Sequence, residues 1–142
     1  MCMTILRTLA RPMLASIFIV MGYQTMRSPE RLVKQAEPVV GPLAEFVPFV
    51  PEDTEQAVRL NGAAQLAGGA LLAVGWLPRL AALTIAATLI PTTIAGHRFW
   101  DIDDPQERAQ QRVQFLKNLS MLGGLLMAAT SGNSRGGRGL RR

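Results

Sequence analysis

Residues 57–96 read AVRLNGAAQLAGGALLAVGWLPRLAALTIAATLIPTTIAG, and Arg59 and Arg79 are the only charged residues among these 40. At about 1.5 Å per residue, a helix on either side of Pro78 is about long enough to cross the ~30 Å hydrocarbon layer of a bilayer. Because the turn at Pro78 is very short, the two helices must be antiparallel neighbours.

Two further apolar segments flank this stretch. We predict four membrane-spanning helices at about 5–26, 54–77, 80–96 and 105–130, the last with a polar section before it enters the membrane. A single span in lipid has to satisfy its own backbone hydrogen bonds, which requires a helix. The alternating segments of about ten residues that a transmembrane barrel needs do not occur. The sequence therefore predicts an all-α, four-helix transmembrane bundle with both termini on the same side of the membrane.

Capping residues mark the starts of two of these helices. Asp53 is a good N-cap for one, and Asp104, followed by Pro at N1 and Glu at N3, is a good N-cap for another. Residues 27–53 contain five prolines, and we predict an external loop there, with a short surface helix ending near Pro38. The basic Gly/Arg tail, 131–142, is predicted to be disordered.

The composition excludes several classes of protein. Charged residues make up 18% of the sequence, against about 25% in soluble domains, which disfavours an ordinary soluble enzyme. A single cysteine cannot form a disulfide within the chain, which excludes a small secreted protein stabilised by disulfides. A nucleic-acid binder would share the net charge of +5 but not the apolar blocks, so no nucleic-acid partner is predicted. A signal peptide is an alternative for the first span, but residues 22–26 lack the small-residue cleavage site.

The charge distribution predicts an orientation. The N-terminal arm, the turn at Arg79 and the tail are basic and contain no Asp or Glu, and every acidic residue lies in the two other loops. Basic short segments favour the cytoplasmic side, so we predict a multi-pass protein of the cell membrane, the bacterial inner membrane, with cytoplasmic termini. Tail arginines would then contact anionic membrane lipids, with a binding free energy of about 1 kcal/mol per basic residue. These residues are Arg135, Arg138, Arg141 and Arg142. The alternative is a solvated tail that only sets the orientation of the protein in the membrane.

Polar side chains on different spans fall at a similar depth near the external side. Polar residues in membrane helices usually face the bundle interior, so we predict one polar pocket that opens to the external leaflet. The candidate ligand-binding residues are Asn61, Gln65, Thr92, His97, Lys117 and Asn118.

Each candidate also has a structural interpretation. Asn61 and Gln65 suit interhelical hydrogen bonds as well as a ligand, Lys117 can extend to the interface, and His97 can be an interfacial histidine without a ligand. Threonine hydroxyls in the third span can bond to their own helix: Thr84, Thr88 and Thr92. One histidine and one cysteine cannot build a haem, zinc or iron–sulfur site within this sequence, so no intrinsic cofactor or metal is predicted.

Three segments resemble one known family. Residues 62–82, GAAQLAGGALLAVGWLPRLAA, look like the second-helix and turn signature of DoxX-like membrane proteins. Residues 96–100, GHRFW, and 117–126, KNLSMLGGLL, resemble that family's third-helix end and fourth helix. The resemblance spans about residues 11–130 and implies a DoxX-like transmembrane domain over residues 1–130.

The resemblance also implies a function. Family members include a subunit of thiosulfate:quinone oxidoreductase, and others are linked to oxidative stress and thiol redox systems. Gln65 stands where the family often has an acidic residue, and the cysteine pairs of redox-active relatives are missing. We therefore expect a membrane subunit of a redox, oxidative-stress or thiol/sulfur system, not an autonomous enzyme. It would dock redox or stress-response proteins and bind quinone or a small sulfur species. The alternative is a non-catalytic scaffold or a small-solute permeation protein, and homo-oligomerisation is open in either case.

Overall fold

The computed structural model describes residues 2–131, with side chains from Ile5 onward, and this part of the chain confirms the all-α prediction. The predicted lipid-contacting arginines of the tail lie outside the described residues. Five α-helices follow one another along the chain: α1 (Cys2–Arg27), α2 (Val33–Phe46), α3 (Thr54–Val74), α4 (Pro78–Gly96) and α5 (Pro105–Thr130). Short 3₁₀ turns, Pro29–Arg31 and Phe99–Asp101, precede α2 and α5.

Three of the described segments are long and apolar enough to cross a membrane: Ile5–Arg27, Thr54–Val74 and Pro78–Asp101. They correspond to the first three predicted spans. Within the described chain, α5 does not reach the same apolar character, because its first half is polar and carries Glu107, Arg108 and Arg112. Length and composition therefore support a membrane protein with three spans. A fourth span, α5, depends on how that helix packs against the others.

The helix boundaries follow from capping chemistry. Asp53 Oδ1 accepts hydrogen bonds from the backbone N–H groups of Glu55 and Gln56, at 2.8 and 3.2 Å. Asp104 Oδ2 accepts from the backbone N–H of Glu107 at 2.8 Å. Both predicted N-caps are confirmed. α3 ends at Val74, three residues earlier than expected, because Gly75 adopts the left-handed conformation, with φ of 74°, that ends a helix.

The short surface helix predicted between the first two spans is present, but it does not end near Pro38 as expected. α2 occupies this segment and continues past Pro38 and Pro42 to Phe46. Each proline removes one backbone hydrogen bond, and both lie exposed, one turn apart on the same face. A different face carries Ala36 and Val40, which are buried in an apolar cluster with residues of α3. This packing offsets the lost backbone hydrogen bonds.

α1 and α3 approach each other so closely that their backbones are in contact. A Cβ atom at Gly22 would lie 2.6 Å from the backbone nitrogen of Leu66 and 2.7 Å from the backbone oxygen of Gly62. A Cβ atom at Gly62 would in turn lie 2.8 Å from the nitrogen of Met26. Distances this short leave no room for a side chain at either glycine. Small residues at such contacts are how membrane helices gain van der Waals packing.

The main apolar core draws on four helices. α1 contributes Phe18, α3 contributes Leu72, α4 contributes Ile85, and α5 contributes Leu125, all of them buried. α5 packs mainly on α4 and only lightly on α1, while α2 lies on α3 and α4. The arrangement makes α3 and α4 the central pair of the bundle.

Replacing Gly22 with alanine should destabilise the fold by about 1–3 kcal/mol, because the added methyl group meets backbone atoms that cannot rotate away. The matched control is Gly41→Ala in α2, where a Cβ atom meets nothing within 4 Å. That change should be neutral or stabilise by up to about 1 kcal/mol, as glycine is a poor helix former. Thermal unfolding of the purified variants in detergent measures the difference, and equal stability of the two variants would contradict the close contact.

Candidate functional site

α4 places two adjacent threonines on different sides of the helix. Residues next to each other on a helix point about 100° apart, so the two hydroxyls cannot serve the same neighbour. Thr92 takes part in hydrogen bonds with α3, and Thr93 takes part in one with α5. α4 is therefore the element that connects the polar groups of this bundle.

The first polar group joins α3 to α4. Asn61 Nδ2 donates to Thr92 Oγ1 at 2.9 Å, and Gln65 Nε2 donates to the same oxygen at 3.3 Å. Thr92 Oγ1 donates its own proton to the backbone oxygen of Thr88 at 2.8 Å. A hydroxyl offers one donor and two acceptor positions, so these three bonds use it fully. Gln65 is 5% exposed, which makes this a buried polar contact.

The second polar group joins α4 to α5. Thr93 Oγ1 donates to the backbone oxygen of Leu89 at 2.7 Å and accepts from Asn118 Nδ2 at 3.0 Å. Thr93 is buried, although the sequence analysis did not select it. Its adjacency to Thr92 was the available signal, since a threonine pair inside a span can serve two neighbouring helices.

The third polar group lies at the end of α4. His97 follows the last residue of that helix, and its Nδ1 atom lies 2.8 Å from Gln111 Oε1 of α5. Both side chains are half-buried. Gln111 was not among the predicted residues. It lies two helical turns before Asn118, and therefore on the same face of α5, which was the available signal.

Lys117 lies apart from the other five candidates. Its side chain is exposed, and Nζ donates to Gln114 Oε1 at 2.9 Å within α5. The structure thus brings Asn61, Gln65 and Thr92 into direct contact and places the remaining candidates along α4 and α5. The ligand-binding role of all six stays a prediction.

The comparison with protein families gives one result. The family model for DoxX matches residues 6–98, which is 93 of the 142 residues. The chain belongs to the DoxX family. The matched region runs from α1 to just beyond α4 and includes the Asn61–Gln65–Thr92 group and His97. The comparisons with curated proteins and with solved structures found no match.

α5 lies beyond the region matched to DoxX, so the family match does not support its position. The contacts of α5 with the rest of the bundle do. Aromatic rings join the 3₁₀ turn that follows α4 to the middle of α5: Phe99 lies edge-on to both Trp100 and Phe115, with ring centroids 5.2 and 5.5 Å apart. Arg98 Nη2 also pairs with Asp101 Oδ2 at 2.8 Å across the 3₁₀ turn. These contacts hold His97 beside α5.

The chemistry available to this DoxX protein is that of hydrogen bonding. Among the described residues, no three His, Cys, Asp or Glu side chains are grouped so that they could hold a metal ion. The polar groups instead present amides, hydroxyls, one imidazole and one ammonium. Such groups can orient a ligand and exchange protons with it.

Replacing Thr92 with valine should destabilise the protein by about 1–2 kcal/mol, because valine has the same shape but leaves two amides without their acceptor. Thr84→Val is the matched control, since within the described part of the chain that hydroxyl bonds only to the backbone oxygen of Leu80 in its own helix. The control should change stability by less than about 0.5 kcal/mol. Chemical unfolding in mixed micelles compares them, and an equal loss would show that Thr92 joins no helices.

Proposed function

We propose that this DoxX protein is an integral membrane subunit of a redox, oxidative-stress or thiol/sulfur system. It docks proteins that carry the redox centres, and it binds a quinone or a small sulfur species where α4 and α5 meet on the external side. The observation that carries the proposal is the pairing of His97 with Gln111 at 2.8 Å. That contact holds an imidazole, which can accept and donate hydrogen bonds, at the end of a membrane-spanning helix.

The imidazole of His97 is suited to a ligand that carries an O–H or S–H group. In the neutral tautomer that donates from Nδ1 to Gln111 Oε1, the lone pair of Nε2 is available as an acceptor. A quinol hydroxyl or a thiol donates to such an acceptor. The half-buried position of the ring limits competition from water.

Lys117 supplies the complementary group. An ammonium has three N–H donors, and the structure assigns one to Gln114. The others can donate to a quinone carbonyl or to an anionic sulfur species. Lys117 lies six residues beyond Gln111, about 9 Å along α5 and about 120° around its axis, so its ammonium extends from a different side of α5 than the His97–Gln111 pair.

Electron transfer itself is assigned to the partners. The sequence contains one cysteine and one histidine, too few for an internal relay of redox centres. A subunit of this composition contributes binding and positioning. The same reasoning makes an autonomous oxidoreductase the weaker interpretation.

The proposal includes a fourth span and an orientation. Leu125 of α5 is fully buried in the core beside residues of α1 and α4, and residues 113–130 extend about 27 Å as a helix. We therefore place α5 across the membrane, and the basic short segments of the sequence favour cytoplasmic termini. A reporter fused after Arg142, which keeps the basic tail, should be active only on the cytoplasmic side, and activity on the external side would overturn this orientation.

Replacing Lys117 with alanine should weaken binding of a short-chain benzoquinone by about tenfold, because hydrogen bonds to charged groups contribute about 1.5–3 kcal/mol. Arg112→Ala is the control, as it removes another exposed cation from α5 without touching Gln114. Quinone titration of the full chain in nanodiscs measures the affinity, with unfolding followed in parallel. Unchanged affinity in a folded Lys117 variant would contradict the ligand role and favour a scaffold or a permeation protein.

A further inference from the structure

A cavity of about 230 Å³ lies at the end of α1, where the chain turns toward α2. Its polar lining comes from Tyr23, Gln24, Thr25, Arg27, Ser28 and Arg31. None of these residues belongs to the polar groups on α3, α4 and α5 described above. The cavity is therefore a separate feature of the molecule, and it lies at the end of the candidate membrane span Ile5–Arg27.

The cavity carries positive charge that the protein does not neutralise by ion pairing. Among the described residues, the ion pairs join Arg59 to Glu55 and Arg98 to Asp101, and neither arginine of the cavity takes part in one. Arg27 Nη1 donates to the hydroxyl oxygen of Tyr23 at 2.9 Å, which directs the guanidinium and leaves its other N–H groups available. Guanidinium groups recognise phosphate by paired hydrogen bonds.

The backbone of the turn beside the cavity is held in place by packing and by hydrogen bonds. Pro29 is fully buried, the backbone N–H of Ser28 donates to Gln24 at 3.0 Å, and the backbone N–H of Leu32 donates to Pro29 at 2.9 Å. Leu32 also packs against the apolar cluster of Ala36, Val40, Ala57 and Val58. The backbone of the turn is thus formed before any ligand binds, so the conformational freedom lost on binding is that of the exposed side chains.

An apolar stripe leads along α1 to the cavity. Met13, Ile17 and Val20 are exposed, and their spacing places them on the same helix face as Gln24 and Arg27. α1 is one of the candidate spans, so this stripe faces acyl chains. A ligand that combines a phosphate with an acyl chain matches both features, whereas free phosphate matches only the charge.

We propose that this corner of the molecule binds one anionic phospholipid. Arg27 and Arg31 hold the headgroup phosphate, the hydroxyl groups of Tyr23 and Ser28 line the site beside it, and an acyl chain lies along Met13, Ile17 and Val20. The site is independent of the quinone or sulfur ligand proposed above, because it shares no residue with that site. Its chemistry requires a phosphate ester with a net negative charge.

The test is lipid retention by the full chain, purified in detergent and measured by native mass spectrometry with phosphatidylglycerol and phosphatidylcholine. A basic residue near an anionic lipid surface contributes about fivefold to binding, so the Arg27→Gln, Arg31→Gln double variant should retain phosphatidylglycerol about 30-fold more weakly than the wild type. The control carries Arg59→Gln and Arg112→Gln, which change the net charge equally at exposed positions outside the cavity. It should retain phosphatidylglycerol as the wild type does, and all three proteins should hold phosphatidylcholine weakly.

Two further measurements keep the outcome decisive. Arg31→Gln alone leaves the Arg27–Tyr23 bond intact, so a loss of retention in this folded variant supports the proposal even where the double variant unfolds. Inorganic phosphate serves as the second probe in a thermal-shift assay. Equal retention of phosphatidylglycerol by the wild type and both arginine variants would overturn the site. Stabilisation by inorganic phosphate equal to that by phosphatidylglycerol would show a free-anion site and overturn the lipid assignment.

Discussion

The backbone contact between α1 and α3 is the constraint on which the other features depend. Gly22 and Gly62 allow the two helices to touch, and Gly69 continues the contact toward Ile19 of α1. Because this face of α3 packs on α1, α4 packs on a neighbouring face of α3. Gly68 meets Ile85 there, and the amides one and two turns earlier reach Thr92. In lipid, where apolar side chains gain little by leaving the solvent, such packing and hydrogen bonding hold the helices together.

α4 connects the α1–α3 pair to the rest of the bundle. Its paired threonines each donate to their own helix and accept from a neighbour, so one helix satisfies amides from both sides. The same helix ends at His97, which α5 holds through Gln111. The polar groups therefore have a structural role in joining helices, and the proposed ligand role concerns the groups that this joining leaves available, His97 Nε2 and the ammonium of Lys117.

The sequence predicted the all-α class, the first three spans, both N-caps and the short turn at Pro78. These features depend on local composition and on residues adjacent in the chain. The helix through Pro38 and Pro42 was not predictable in this way, because the apolar face that stabilises it is completed by Ala57 and Val58 of α3. Helical spacing likewise indicates which polar residues share a face, but not which neighbour that face meets. This is why Thr93 and Gln111 were not predicted, and why the sequence did not indicate which of the polar residues are hydrogen-bonded to each other.

The cavity at the end of α1 illustrates the same limit, since two arginines in a proline-rich segment become one site only when Pro29 is buried and the chain turns. The family match, which ends at Arg98, supports the helices that carry the first polar group and says nothing about α5. The function we infer therefore depends on residues contributed by α5 as much as on the DoxX region.

The central claim is that this chain binds and positions redox components that it does not itself contain. The most direct test is purification of the full chain from its native membrane in mild detergent, followed by mass spectrometry for quinone and by optical spectroscopy of copurifying proteins. The account predicts bound quinone, or a redox protein with its cofactor, in proportion to the chain. A homogeneous preparation that contains neither, from cells in which both are abundant, would contradict it.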